Sequence, residues 1–93
     1  MPVFAIIPQP NPNTTKLANV IATTFTNEFI ALEGEKGWLV STKGTAQELS
    51  AKLGVSSGEN GAAAIFEIAS YFGRANPNIW SWIKIKMEAP PSV

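Results

Sequence analysis

Hydrophobic positions along this 93-residue chain recur at two different spacings, and the spacings separate predicted strands from predicted helices. Residues 3–7 form a short apolar run that ends at Pro8, which predicts a first strand that is buried on both faces. Asn13 or Thr14 is able to cap a helix, and the positions after them follow helical spacing. The residues on that amphipathic helix face are Leu17, Val20, Ile21, Thr24 and Phe25.

A hairpin and a second helix are predicted in the middle of the chain. Residues 28–32 and 38–42 are rich in β-branched, aromatic and aliphatic side chains, and a glycine-containing turn lies between them, which predicts two paired strands. Thr45 and Glu48 have capping-box spacing and predict the start of the second helix. Gly54 stands where a left-handed residue would end that helix.

The last third of the chain predicts one more strand and one more helix. Residues 62–70 follow a loop at 55–61 that is rich in glycine and serine, and they are typical of a fourth strand. Asn76 is able to cap a helix, and proline is favoured at the first helical position, which is Pro77 here. This terminal helix is predicted to end near Met87.

The predicted order is β-α-β-β-α-β followed by a terminal helix, which is the order of a ferredoxin-like α+β domain. Right-handed crossovers place both main helices on one face of an antiparallel sheet, with the first and third strands in its centre. Residues 1–93 are too few for two separate cores, so we expect a single domain, with residues 88–93 as a flexible tail.

Apolar residues stand on both faces of the predicted strands, whereas a sheet with one wet face alternates apolar and polar residues. In the first strand, Phe4 and Ile6 alternate with apolar residues on the opposite face, and the terminal helix carries Trp82 and Ile85 outside its main apolar stripe. Either the terminal helix folds over the open face, or two chains pack together. We favour a homodimer whose surface includes Phe4, Ile6, Trp82 and Ile85.

The amino-acid composition limits the kinds of catalytic, metal-binding and nucleic-acid-binding sites that the chain is able to form. Seven Lys and Arg residues balance seven Glu residues along the chain, so no electrostatic footprint for nucleic acid is visible. The chain has no Cys, His or Asp, which excludes the common nucleophilic triads and the common zinc sites, and we expect no enzymatic activity, metal or cofactor. The apolar run at the N-terminus is too short for a signal peptide or membrane span, so we expect a cytoplasmic protein.

Candidate binding residues lie near the C-terminal end. Arg74, just before the helix start at Asn76, is suited to recognise a phosphate or carboxylate together with free helix amides, or alternatively to pair with Glu67. Lys84 and Lys86 would join Arg74 in contacting phosphates. Glu67 interrupts an apolar strand, and a buried ion pair or an edge-strand charge explains it better than a general base, because it has no second titrating partner.

One segment also carries a family resemblance. Tyr71-Phe72-Gly73-Arg74-Ala75-Asn76, followed by Trp80-Ser81-Trp82-Ile83-Lys84, resembles the closing segment of SinR-like small proteins, which are related to the ferredoxin-like nuclease subunit of CRISPR spacer acquisition. The resemblance covers most of the chain, is mainly topological, and implies a homodimer built on ferredoxin-like sheets. In the nuclease branch a metal-binding aspartate follows the first strand, whereas this chain has Pro8-Gln9-Pro10-Asn11, so metal-dependent cleavage is not implied.

The function predicted from these patterns is that of a non-enzymatic, homodimeric binding module whose partner is another macromolecule. The alternative is a nucleic-acid-binding or degenerate nuclease-like protein of the same fold, in which Arg74, Lys84 and Lys86 contact phosphates. A salt-dependent affinity for nucleic acid would favour this alternative.

Overall fold

The computed structural model describes residues 1–9, 14–32, 36–70 and 77–88. Within these ranges the helices and strands follow the predicted order, and most of their boundaries lie close to the predicted ones. The fourth strand is shorter than predicted and ends at Glu67. The elements are β1 (Val3–Pro8), α1 (Thr14–Thr24), β2 (Phe29–Leu32), β3 (Gly37–Ser41), α2 (Ala46–Lys52), β4 (Ala63–Glu67) and α3 (Pro77–Glu88).

The strands form one antiparallel sheet in the order β2-β3-β1-β4. β1 pairs with β3, where Phe4 lies opposite Val40, and with β4, where Ile6 lies opposite Ile65. β1 and β3 are therefore the central strands, as predicted, and β2 and β4 are the outer strands. The structure confirms a small α+β domain with a four-stranded antiparallel sheet.

One face of the sheet packs against α1 and α2. Because successive strand residues point to opposite faces, β1 directs Phe4 and Ile6 towards these helices, where both are completely buried. The predicted assignment of Phe4 and Ile6 to a dimer surface is therefore wrong, since one chain alone already covers them. The other buried members of this cluster are Leu17, Ile21, Phe25, Trp38, Val40, Leu49 and Leu53.

The opposite face of the sheet packs against α3. Val3 and Leu39 point to this side, and Ile83 of α3 is buried against them with only 3% of its surface exposed. The terminal helix thus folds over the face that the sequence left open. Half-buried apolar residues complete this second cluster: Ala5, Ile30, Leu32, Ile68, Ile79, Trp80, Trp82 and Met87.

Local capping sets the bounds of α2. The backbone N–H of Glu48 donates to the Thr45 hydroxyl at 3.1 Å, and the Glu48 carboxylate accepts from the Thr45 backbone N–H at 3.2 Å, which forms the predicted capping box. Gly54 follows the helix with φ +76°, a conformation that L side chains rarely adopt. Both predicted ends of α2 are confirmed.

Some predicted features fall outside the described residues. They are Asn13 as a helix cap, most of the turn between β2 and β3 at residues 33–35, and residues 89–93 of the predicted tail. The tail was predicted to begin at Glu88, but Glu88 is the last residue of α3.

Candidate functional site

The predicted anion-binding residues are not gathered into one site in the part of the chain that the structure describes. Arg74 and Asn76 lie outside it. Lys84 is exposed on α3, whereas Nζ of Lys86 lies 2.8 Å from Oε2 of Glu28. The Lys86 ion pair joins the C-terminal turn of α3 to the residue that precedes β2, which is a structural contact between two elements.

The predicted dimer residues of α3 differ in their exposure. Trp82 is half-buried in the second cluster, while Ile85 is 66% exposed on the outer face of the helix. One other large apolar side chain is similarly exposed among the described residues, namely Phe66 of β4 at 58%. Ile85 is thus the most exposed of the four residues predicted for the dimer surface.

Among the residues that the structure describes, no partner strand pairs with the outer edge of β4, which leaves a row of unpaired peptide groups there. The N–H of Ile68 donates to the Val3 carbonyl and that of Gln9 donates to the Ala62 carbonyl, both at 2.9 Å. Each donor lies opposite its acceptor when the register of β1 and β4 is continued by one residue at each end. Hydrogen-bonded pairs alternate along an antiparallel ladder, so Ala64 and Phe66 also bond to β1. The peptide groups of the three alternate residues point outwards, and these residues are Ala63, Ile65 and Glu67.

The side chains of β4 leave this edge uncharged for most of its length. Phe66 lies opposite Ala5 on the face that packs against α3, and Ile65 lies on the face that packs against α1 and α2. Glu67 is exposed and is the one charged residue of β4, at its end. The interpretation of Glu67 as an edge-strand charge fits this position, and the alternative of a buried ion pair does not.

A second feature is an open groove at the end of the sheet where β1 begins and β3 ends. It has a volume of about 370 Å³, and Ser41, Lys43 and Lys52 contribute to its wall. The remaining lining residues are Met1, Thr24, Phe25, Thr26, Glu28 and Thr42. Two adjoining cavities also include Lys43, one beside Glu67 and the other beside Glu48.

Ser41 is the unusual residue of this groove. It is only 3% exposed, and its Oγ is buried without a hydrogen-bond partner in the described structure. Buried hydroxyls are nearly always hydrogen-bonded, because an unpaired one loses its bonds to water without replacement. The backbone N–H of Ser41 does have a partner, since it donates to the Glu28 carbonyl at 2.9 Å.

Sequence reasoning missed both Phe66 and Ser41 as residues of interest. The exposure of Phe66 could have been suspected from the sequence, because Phe66 precedes Glu67, the single charged residue of its strand. The strand also begins with small alanines, which shield little of a neighbouring side chain from solvent. Ser41 had none, since a serine after an apolar strand segment is ordinary and its burial depends on how α3 and the chain start pack together.

The described residues offer no metal-binding group of the usual kind, since no three His, Cys, Asp or Glu side chains lie together there. Glu33 and Glu35 are outside these ranges, so the expected lack of a metal stays a prediction. No helix within the same ranges has the length and apolar character that a membrane crossing requires.

The fold places this chain in the class of small α+β domains with a four-stranded antiparallel sheet. No family model, curated protein or solved structure matches this chain. The resemblance to SinR-like proteins therefore stays a hypothesis from the sequence, and its most specific segment, residues 71–76, lies outside the described structure.

Proposed function

We propose that this chain is a non-catalytic binding module that forms a homodimer through the outer edge of β4. The observation that carries the proposal is the row of outward peptide groups at this edge together with the exposed ring of Phe66. An uncovered, uncharged strand edge is a template for pairing with another chain. The proposed homodimer therefore uses a different surface from the one predicted from the sequence, which included Phe4 and Ile6.

The hydrogen-bonding pattern is compatible with a symmetric register for the dimer. With a two-fold axis at Ile65, antiparallel pairing brings Ile65 opposite Ile65 of the second copy and Ala63 opposite Glu67 of the second copy. All of these residues have outward peptide groups, so each pair is able to exchange two hydrogen bonds. The two sheets would then continue into one.

The side chains are compatible with this register. On the face that carries α3, Phe66 of one copy would lie opposite Ala64 of the other, so that a large side chain meets a small one. The two Glu67 side chains would lie at opposite ends of the strand pair, and like charges would not face each other. A register centred on Glu67 would place the two carboxylates side by side and is disfavoured.

Light scattering across a concentration series tests the dimer. The wild-type chain is expected at about twice its 10.0 kDa mass, and Ala63→Pro is expected to run as a monomer. Proline at position 63 removes an outward N–H, which the second copy would use, and spares the ladder to β1. Circular dichroism of Ala63→Pro checks that the fold is retained.

Ile85→Lys is the matched control, because Ile85 is the other exposed large apolar residue and lies on α3. It should leave the dimer intact. A wild-type chain that stays at 10.0 kDa throughout would refute the dimer. If Ile85→Lys is a monomer while Ala63→Pro is still a dimer, the interface lies on α3. That result would refute the β4 register.

The proposal includes four further assignments. The ferredoxin-like name is supported by the order of elements and by α1 and α2 sharing one face of the sheet. The absence of catalysis is supported by the lack of His, Cys and Asp in the chain. Kinship with SinR-like proteins and a cytoplasmic location are supported by the sequence patterns alone.

The nucleic-acid alternative gains little from the described geometry. Lys86, one of its three cations, is engaged with Glu28, Lys84 is exposed on α3, and Arg74 lies outside the described residues. Fluorescence anisotropy with a labelled oligonucleotide at low and high salt tests this alternative. Binding that weakens steeply with salt and with Lys84→Met would support it over the module proposed here.

A further inference from the structure

The loop that joins α2 to β4, residues 53–62, is fastened to the end of α2 by Asn60. Nδ2 of Asn60 donates to the Leu53 carbonyl at 2.8 Å, and the backbone N–H of Asn60 donates to the Gly54 carbonyl at 3.0 Å. The last carbonyls of a helix lack partners inside the helix, so Asn60 supplies donors that the C-terminal end of α2 needs. Asparagine at position 60 thus has a structural role.

Glycine follows Asn60 for a different reason. Gly61 has φ +99°, a conformation that L side chains rarely adopt. The fold therefore places an asparagine and a glycine next to each other, and Asn60 is the only asparagine of the chain that a glycine follows. Because glycine has no Cβ to shield its backbone nitrogen, that nitrogen is able to reach the asparagine side chain, whose amide is chemically labile.

We propose that Asn60 is a site of spontaneous deamidation whose rate is limited by the opening of its contact with α2. In this reaction the backbone nitrogen of Gly61 loses its proton and attacks Cγ of Asn60. The N–Cγ bond forms, the Cγ–Nδ2 bond breaks, and Nδ2 takes up a proton and leaves as ammonia. Water then opens the cyclic imide, which gives aspartate or isoaspartate. The proposal is independent of the dimer, because neither residue belongs to β4.

The folded loop restrains this reaction. The two hydrogen bonds of Asn60 tie both its side chain and its main chain to the end of α2, and ring closure requires them to rotate. The N–H of Gly61 donates to the Gly58 carbonyl at 3.3 Å, although this nitrogen has to give up its proton in order to react. Deamidation therefore proceeds from the minor population in which the loop is open, and its rate follows that population.

Deamidation in turn loosens the loop. The aspartate product has no N–H to donate, and its carboxylate would stand beside the Leu53 carbonyl, so that two acceptors meet. The isoaspartate product also adds a methylene group to the main chain shortly before β4 begins at Ala63. Each product thus favours the open state of the loop.

Mass spectrometry of the full-length chain, incubated at constant pH and temperature and sampled over time, tests the site. The expected product is heavier by the difference between an acid and an amide, and peptide mapping is expected to place the change at Asn60. Incubation in urea, which opens the loop, should accelerate the conversion several-fold.

Two glycine variants test whether the contact with α2 controls the rate. A Cβ at Gly54 would run into Nδ2 of Asn60, whereas a Cβ at Gly58 has no atom within 4 Å. The two glycines have nearly the same φ, +76° and +78°. Gly54→Ala should therefore displace the Asn60 amide and accelerate deamidation several-fold, and Gly58→Ala should stay near the wild-type rate. Low concentrations of urea bring the two variants to equal global stability, so that any remaining difference belongs to the contact with Asn60.

Asn60→Asp reproduces the aspartate product and tests the consequence. It should lower the urea midpoint of unfolding, because the donor to Leu53 is lost. Asn19→Asp makes the same chemical change at an exposed position of α1 and should leave the midpoint nearly unchanged.

Three results would overturn the proposal. An Asn60 amide that stays intact in urea would refute the site. Equal deamidation rates in native buffer and in urea, or in Gly54→Ala and Gly58→Ala, would show that the contact with α2 does not restrain the reaction. An Asn60→Asp chain with the wild-type midpoint would show that the modification does not loosen the loop.

Discussion

Gly37, the first residue of β3, shows how one residue constrains the sheet. Its φ is +143°, and a Cβ at this position would run into the backbone oxygen of Ile6 on the neighbouring strand. A side chain here would therefore strain the backbone and force apart the two central strands. Only glycine satisfies both conditions, which explains its place at the end of the turn between β2 and β3.

Gly37→Ala is expected to lower the free energy of unfolding by more than about 1 kcal/mol, because both the conformation and the space are incompatible with a methyl group. Urea unfolding followed by fluorescence measures the change. Gly58→Ala is the control: it has φ +78° and no atom within 4 Å of the added Cβ, so it should cost less. Equal losses for the two variants would contradict the steric explanation.

At the scale of elements, α2 depends on its N-terminal cap. This helix has only seven residues, Ala46–Lys52, and isolated helices of that length are unstable in water. The capping box of Thr45 and Glu48 satisfies donors that the first turn leaves unpaired, and Leu49 and Leu53 anchor the helix on the core.

Thr45→Ala should lower the free energy of unfolding by about 1 kcal/mol, because the Glu48 N–H loses its acceptor. The change is measured by chemical denaturation. Gln47→Ala is a matched control on the same exposed first turn and should change stability by less than about 0.5 kcal/mol. A Thr45→Ala chain as stable as wild type would show that solvent replaces the cap.

At the scale of the whole molecule, α3 converts a sheet with one covered face into a three-layer domain. Ile83 is its buried anchor, and the ion pair of Lys86 with Glu28 adds a partly exposed contact of at most about 1 kcal/mol. Apolar burial therefore contributes more than charge to holding α3 on the sheet.

Ile83→Ala is expected to lower the free energy of unfolding by about 2 to 4 kcal/mol, since it leaves a cavity between α3 and the sheet. Ile85→Ala makes the same chemical change at a 66% exposed site on the same helix and should stay within about 0.5 kcal/mol of wild type. Chemical unfolding followed by tryptophan emission measures the change, with Trp80 and Trp82 on α3 and Trp38 in the core all contributing. Equal effects of the two variants would mean that α3 is not docked.

The difference between prediction and structure is clearest for apolar residues on the sheet. Val3 and Phe4 are adjacent apolar residues of β1, yet Phe4 packs against α1 and α2, whereas Val3 packs against α3. The alternation of strand residues predicts that they point in opposite directions. It does not predict which face a later helix will cover, and for that reason Phe4 and Ile6 were assigned to the wrong surface.

Local patterns were sufficient for the elements, the capping box of α2, the glycine that follows α2 and the central positions of β1 and β3, because each depends on neighbouring residues or on chain connectivity. The docking of α3, the burial of the Ser41 hydroxyl, the engagement of Lys86 by Glu28 and the exposure of Phe66 depend on the three-dimensional packing. These features join residues far apart in the chain, and no spacing in the sequence encodes such contacts. The candidate sites come from this second group.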